Sequence, residues 1–304
     1  MNGRILSLAI AGAFLALGLV AQDGDREAAK KAKQERDKAV SEALKKFRED
    51  SGAKEEGTQI SAIQEIARKA FELKEDKLLD PILGYPAKGT VNLRLAAIRA
   101  LADVDHPKSV QGLVGALAAN EKDQAVMKAL IEGLKKLDRE EGAKPLQALL
   151  KNYQDPDVMP IVKDILDALG SIGSPDSMDS IIVVLDAADF NGTGGYNPNG
   201  GGQGAGVGNG WFKGMNNQQI AALGDSCKKA LGAITNRAAS GSGAEWKDWK
   251  KKEMNTFLGQ LYLVHWCPDT WQRWKRYNKH KTECSFNKKH GQTDPVVKRT
   301  AKKD

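Results

Sequence analysis

The chain has 304 residues, of which 28% are charged and only 6% aromatic, with a net charge of +7. So few aromatics among so many charges suit solvated helices built on Ala, Leu and Ile, and argue against a β-sandwich or barrel core. The charge is unevenly spread: residues 271–304 carry eleven Lys or Arg against three acids, a balance of +8 that leaves the remainder at −1. Any argument about anionic partners therefore belongs to the tail.

Met1 to Arg4 form a short basic start, Ile5 to Val20 run without a charge, and Ala21 precedes the polar Gln22-Asp23-Gly24. A basic start, an apolar run and a small residue at the cut are the marks of a secretory signal. The run falls short of the roughly 20 residues that span a bilayer, which sets cleavage above an uncleaved anchor. The expectation is a signal at 1–21 and an exported protein, periplasmic or extracellular, with envelope association as a further option. Residues 22–57 read as a charged N-terminal helix with a thin apolar stripe of Val40, Leu44 and Phe47, ended by Gly52 and Gly57.

A repeat follows. The stretches AAIRALADVDHPKSVQGLVGAL, KALIEGLKKLDREEGAKPLQALL and KDILDALGSIGSPDSMDSIIVVL align on Leu101, Leu134 and Leu169, spaced 33 and 35 residues apart. A degenerate copy precedes them with Phe71 in the Leu position, and Ala230-Leu231-Gly232 echoes Ala168-Leu169-Gly170 after a Gly-rich stretch. Each unit holds two amphipathic stripes, such as Val126, Leu130, Leu134 and Leu137, then Met178, Ile181, Ile182 and Leu185. A stripe of this kind buries its face only against a neighbour, so the units must stack. Asp155-Pro156 and Ser174-Pro175 are expected to place capping oxygens at helix starts.

Paired helices in units of just over thirty residues, with an apolar ALxxI/V ending and an Asp/Ser-Pro turn, resemble the short HEAT repeats of bacterial proteins. The ending ALGAITN…AEWKDWK is similar to the last repeat of exported HEAT proteins in which a Trp-x-x-Trp pair closes the array. The resemblance implies an all-α solenoid of four to five helix pairs over residues 58–237, with a Gly-rich loop inserted at 191–214. A Trp-rich cap at 238–277 and a basic, disordered tail at 278–304 complete the expected layout. The family holds scaffolds, lyase subunits and DNA-repair proteins alike, so it fixes architecture more than function.

The insert holds eleven Gly, and across its start Asp189, Asn191 and Thr193 sit at positions 1, 3 and 5 of an EF-hand pattern with Gly194 at position 6. Position 12 is Gly200, where a bidentate Glu belongs, so calcium is a half-match only. Ser-x-x-Lys triplets lack their companion motifs, and three of the four His lie beyond residue 260, which leaves the body short of neutral-pH bases. No enzyme and no cofactor is expected, and the paired acids Glu140 and Glu141 read as solvated turn residues. Cys227 shares a helical stripe with Ile220, Leu223, Leu231 and Ile234 and reads as core. Cys267 and Cys284 read as a disulfide, with zinc or free thiols as alternatives.

Trp271, Trp274 and Tyr277 recur at helical spacing, interleaved with Arg273, Lys275, Arg276 and Lys279. They are either a terminal amphipathic helix capping the array or a cationic aromatic surface for an anionic polymer. Two functions follow: a scaffold binding a protein or peptide on its second helices, around Lys108, Gln111, Lys144, Gln147, Lys151 and Asp179, or an envelope module binding anionic polymer through the tail. Nucleic acid is not the expected partner. Non-reducing peptide mapping is expected to recover Cys267 joined to Cys284 and Cys227 alone; a bridge containing Cys227 would overturn its place in the core.

Overall fold

In the computed structural model, helix start signals written in the sequence set most of the element boundaries. The structure describes residues 4–152, 159–192, 215–235, 237–267, 272–274 and 297–301; of 4–26, 152, 190–192 and everything after 254 it describes the backbone alone. Ten α-helices lie among these residues: α1 (Arg4–Ser51), α2 (Glu56–Leu73), α3 (Val91–Ala102), α4 (Pro107–Ala116), α5 (Gln124–Leu137), α6 (Ala143–Asn152), α7 (Met159–Ile172), α8 (Met178–Gly192), α9 (Asn217–Thr235) and α10 (Gly243–Gln260). Thr90 and Asp123 accept the amides of Leu93 and Val126 and so cap α3 and α5. Asn216 with Gln219 and Ser242 with Glu245 form reciprocal capping boxes at the starts of α9 and α10. Helices α2 and α5 end on left-handed residues, Lys74 and Asp138, each with φ of 51°.

The first helices of successive units stack in one layer, α2 on α3, α3 on α5, α5 on α7 and α7 on α9, with α1 against the outer side of α2. The second helices, α4, α6, α8 and α10, form the other layer. In the unit headed by α2, two short 3-10 turns, Asp76–Leu78 and Asp80–Ile82, stand where a second helix would be. One continuous apolar core runs through the stack from Phe47 to Trp246. Leu101, Leu134, Leu169 and Leu231, the residues that defined the repeat, are all buried in it, as is Cys227. The Gly-rich stretch does not interrupt the stack. Gly170 lies so close to α9 that a Cβ there would sit 3.0 Å from the Cα of Ala230, and this absence of a side chain lets α7 and α9 meet as neighbours.

Three sequence expectations need correction. Phe71 is 47% exposed, and the buried place at the end of α2 belongs to Ala70. The degenerate copy is therefore one residue out of the register drawn from its large side chains. Ser174 caps nothing with its side chain; its hydroxyl, buried, donates to Glu140 at 3.0 Å. Asp155 lies outside the described residues. The third is Trp274, read on a terminal helix and found on a strand: after α10, β1 (Leu261–Cys267) pairs antiparallel with β2 (Gln272–Trp274) and β3 (Val297–Ala301) in the order β2-β1-β3. His265 faces Trp274 in register, which places Trp274 on a strand. The run LYLVHWC of β1 is rich in aromatic and aliphatic residues that favour a strand.

Among the described residues no helix is long and apolar enough to cross a membrane. Leu134 is 1% exposed in the middle of the stack. Replacing it with Ala is expected to cost about 2–5 kcal/mol in equilibrium urea unfolding. Phe71→Ala should stay within about 0.5 kcal/mol, because that ring is largely in solvent.

Candidate protein-binding surface

The turns that join first to second helices form one edge of the array, and it is polar yet buried. His106, Arg139 and Ser174 occupy the same turn position in three consecutive units, by the same 33- and 35-residue spacing as the core Leu column, and all three are buried. Arg139, with 4% of its side chain exposed, donates to Asp105 of the preceding turn at 3.2 Å and to Glu141 at 3.1 Å. Glu140 accepts the Ser174 hydroxyl of the following turn. Burial pushes the Glu140 carboxyl above its usual range, partly offset by that hydroxyl. Of the two acids expected to be solvated, Glu140 instead ties one repeat to the next, while Glu141 stays exposed and pairs within its own turn. Lys136 and Asp103, and Lys135 and Asp167 at 2.6 Å, extend the same pattern.

The second-helix layer shows which of the expected contact residues are open. Lys108 is held between Asp76 at 3.0 Å and Asp80 at 2.7 Å. Gln147 donates to the buried Ser177 at 2.9 Å, and Asp179 pairs with Lys250 of α10. These three residues join neighbouring units. Gln111 and Lys144 face solvent. Between them and the far ends of the helices runs a row sequence reasoning missed: Gly115, Ala148 and Val183, again at 33 and 35 residues, all exposed, with Val183 at 39%. The signal for it was present in the repeat register but requires knowing which face of each second helix turns outward. In this row Gly115 on α4 and Ala148 on α6 are small, and Val183 on α8 is a larger apolar side chain.

A second concavity of about 780 Å³ lies between α1 and α2, floored by Ala43, Phe47, Ala62 and Ile66 and rimmed by Glu42 and Glu65.

The C-terminal closure of the array is built on α10. Trp246 enters the core and meets Trp249 edge-on at 5.8 Å, while the Arg237 guanidinium sits 5.1 Å over the Trp249 ring. Asp189 accepts the amide of Gly243 at 2.7 Å, placing a carboxylate at the start of α10. A Cβ at Gly243 would collide with Asp186, so only glycine allows this approach. Helix α8 continues through Asp189 and Asn191 to Gly192. The expected head of a calcium loop is thus helical, with its first carboxylate engaged in holding α10. Thr193 lies outside the described residues.

Of the expected tail contacts, Arg273 and Trp274 are described as strand backbone, whereas Trp271, Lys275, Arg276 and Lys279 lie outside the described residues. Cys267 is the last residue of β1 and Cys284 is outside; Cys227 is a free, buried thiol whose pKa burial pushes well up.

The family model for HEAT repeats matches residues 87–162, from the approach to α3 into α7. That span is a HEAT-repeat region. HEAT repeats are typically scaffolds for protein–protein interaction and usually non-catalytic. No curated protein matches the chain. Among solved structures, a de novo designed 16-helix transmembrane nanopore aligns over 74% of this chain at 15% identity, with a TM-score of 0.15. The chain spans 64% of the length of that design, and a likeness this slight carries no argument.

The buried arginine of the turn edge gives a test of this geometry. Arg139→Ala leaves Asp105 and Glu141 without their shared cation and should cost about 3 kcal/mol in urea unfolding. Lys144→Ala, on the open face, should cost less than about 0.5 kcal/mol.

Proposed function

We propose that the array is a scaffold that binds an extended protein segment along the track of Gly115, Ala148 and Val183 on its second helices. The observation that carries this reading is Val183. A large apolar side chain stands 39% exposed at the end of a row of small residues, on a face whose neighbouring polar groups are partly engaged in holding the repeats together. Apolar rows with polar flanks are suited to protein contact, and the flank here is Gln111 and Lys144. The pattern of residues 1–21 supports export, so the partner belongs to the periplasm, the envelope or the exterior.

A second reading rests on charge. Residues 271–304 hold +8 on a body of −1, which suits attachment to an anionic envelope polymer by long-range attraction. Such attraction is screened within roughly 8 Å at physiological ionic strength and so weakens with salt.

Co-purification from envelope extracts separates the two. A protein that stays bound in high salt and is lost from the Ala148→Glu, Val183→Glu double variant is the expected result. A polymer that elutes with salt and is lost on truncation after Thr270, with no protein retained, would replace the scaffold reading by the second.

A further inference from the structure

We propose that His106 makes the first turn of α4 acid-sensitive, because protonation at Nδ1 removes the acceptor that starts the helix and adds a cation near Lys108 and Arg139. His106 is the residue before Pro107, and its Nδ1 accepts the amide of Lys108 at 3.2 Å. That bond needs the ring neutral with its lone pair on Nδ1. A proton there turns an acceptor into a donor aimed at another donor.

Four charged groups face the ring. Arg139 from the following turn and Lys108 from the first turn of α4 oppose protonation; Asp76 from the turn after α2 and Asp105 from its own turn favour it. Both acids are already engaged, Asp76 by Lys108 at 3.0 Å and Asp105 by Arg139 at 3.2 Å. Burial is the largest influence, since the residue is only 8% exposed, and the imidazole pKa lies below its ordinary 6.5.

The sign follows from linkage. The ring in an opened turn takes up its proton as pH falls past about 6.5, before the closed ring does, so acid favours the open form. The closed turn is fully stabilised above that value and loses stability as pH falls toward the lower value of the folded ring. One proton sets the limit: the opening equilibrium rises by at most about tenfold per pH unit within this window.

The test compares the full chain with His106→Asn, since Asn caps helices with its side-chain oxygen and does not titrate in this range. Hydrogen exchange is followed at the Lys108 and Ser109 amides between pH 7.5 and 5, corrected for intrinsic rates. The ring itself is followed by NMR on the wild type, its signal assigned by connectivity to the His106 backbone. Expected are a ring titrating below 6.5 and protection at these amides that falls with acid in the wild type, up to about tenfold per unit, but not in the variant. Parallel exchange profiles for the two proteins would overturn the proposal. So would a ring titrating at or above 6.5, a measurement on the wild type that stands even if the variant fails to fold.

Discussion

A helix pair in this chain has one apolar face too many to satisfy by itself. The stripe of α5, for example, buries Val126, Leu130 and Leu134 while Met127 and Ile131 are buried too, so it needs apolar partners on both sides of the layer. Helices α3 and α7 supply them. The same demand passes to the next unit, and the array stops only where a helix can face water. At one end α1 does this: Phe47 is buried, Val40 and Leu44 are partly so, and charged residues cover its outer side. At the other end α10 contributes Trp246, pairs Lys250 with Asp179 of α8 and turns Lys251 and Lys252 outward. Stacking is thus the constraint from which the core, the caps and the repeat length all follow.

Apolar stripes slide along one another easily, and the polar turn edge removes that freedom. The bonds between turns join residues about one repeat apart, Arg139 to Asp105 and Ser174 to Glu140, with partners fixed by position. Buried ion pairs add little net stability when both charges must be desolvated, but a one-residue slip would leave Arg139 buried without a partner. The edge therefore specifies register more than it strengthens the stack. His106 occupies the same position, but its bond is to Lys108 in its own turn, so its protonation bears on the start of α4.

The sequence showed the core plainly because apolar periodicity reports burial directly. Leu101, Leu134, Leu169, Leu231 and Cys227 all fall where their stripes place them. It misled where side-chain size was taken for burial, as at Phe71, whose small neighbour Ala70 packs inside. It also misled where local chemistry was read without the neighbouring repeat. Ser174 before a Pro looks like a cap and Glu140-Glu141 looks like a solvated turn, yet the partners of Ser174 and Glu140 are each other, 34 residues apart. Likewise Lys108, Gln147 and Asp179 make bonds between units that were not legible, because charge on an outer face says nothing of whether the next unit supplies a partner. At the end of the chain, the spacing of the Trp residues suggested a helix where extended pairing prevails.

These roles bear on where a partner can bind. A ligand at the turn edge would have to displace Arg139 or Glu140 from bonds made at low exposure, and would leave their buried partners unsatisfied. A ligand on the track of Gly115, Ala148 and Val183 displaces only water, and finds small side chains that ask nothing of its own polar groups. The groove between α1 and α2 is intermediate, with an apolar floor but a rim of charges already near one another, Glu65 among them with Arg68 at 2.6 Å. The second-helix face is the surface where binding conflicts least with what holds the repeats together.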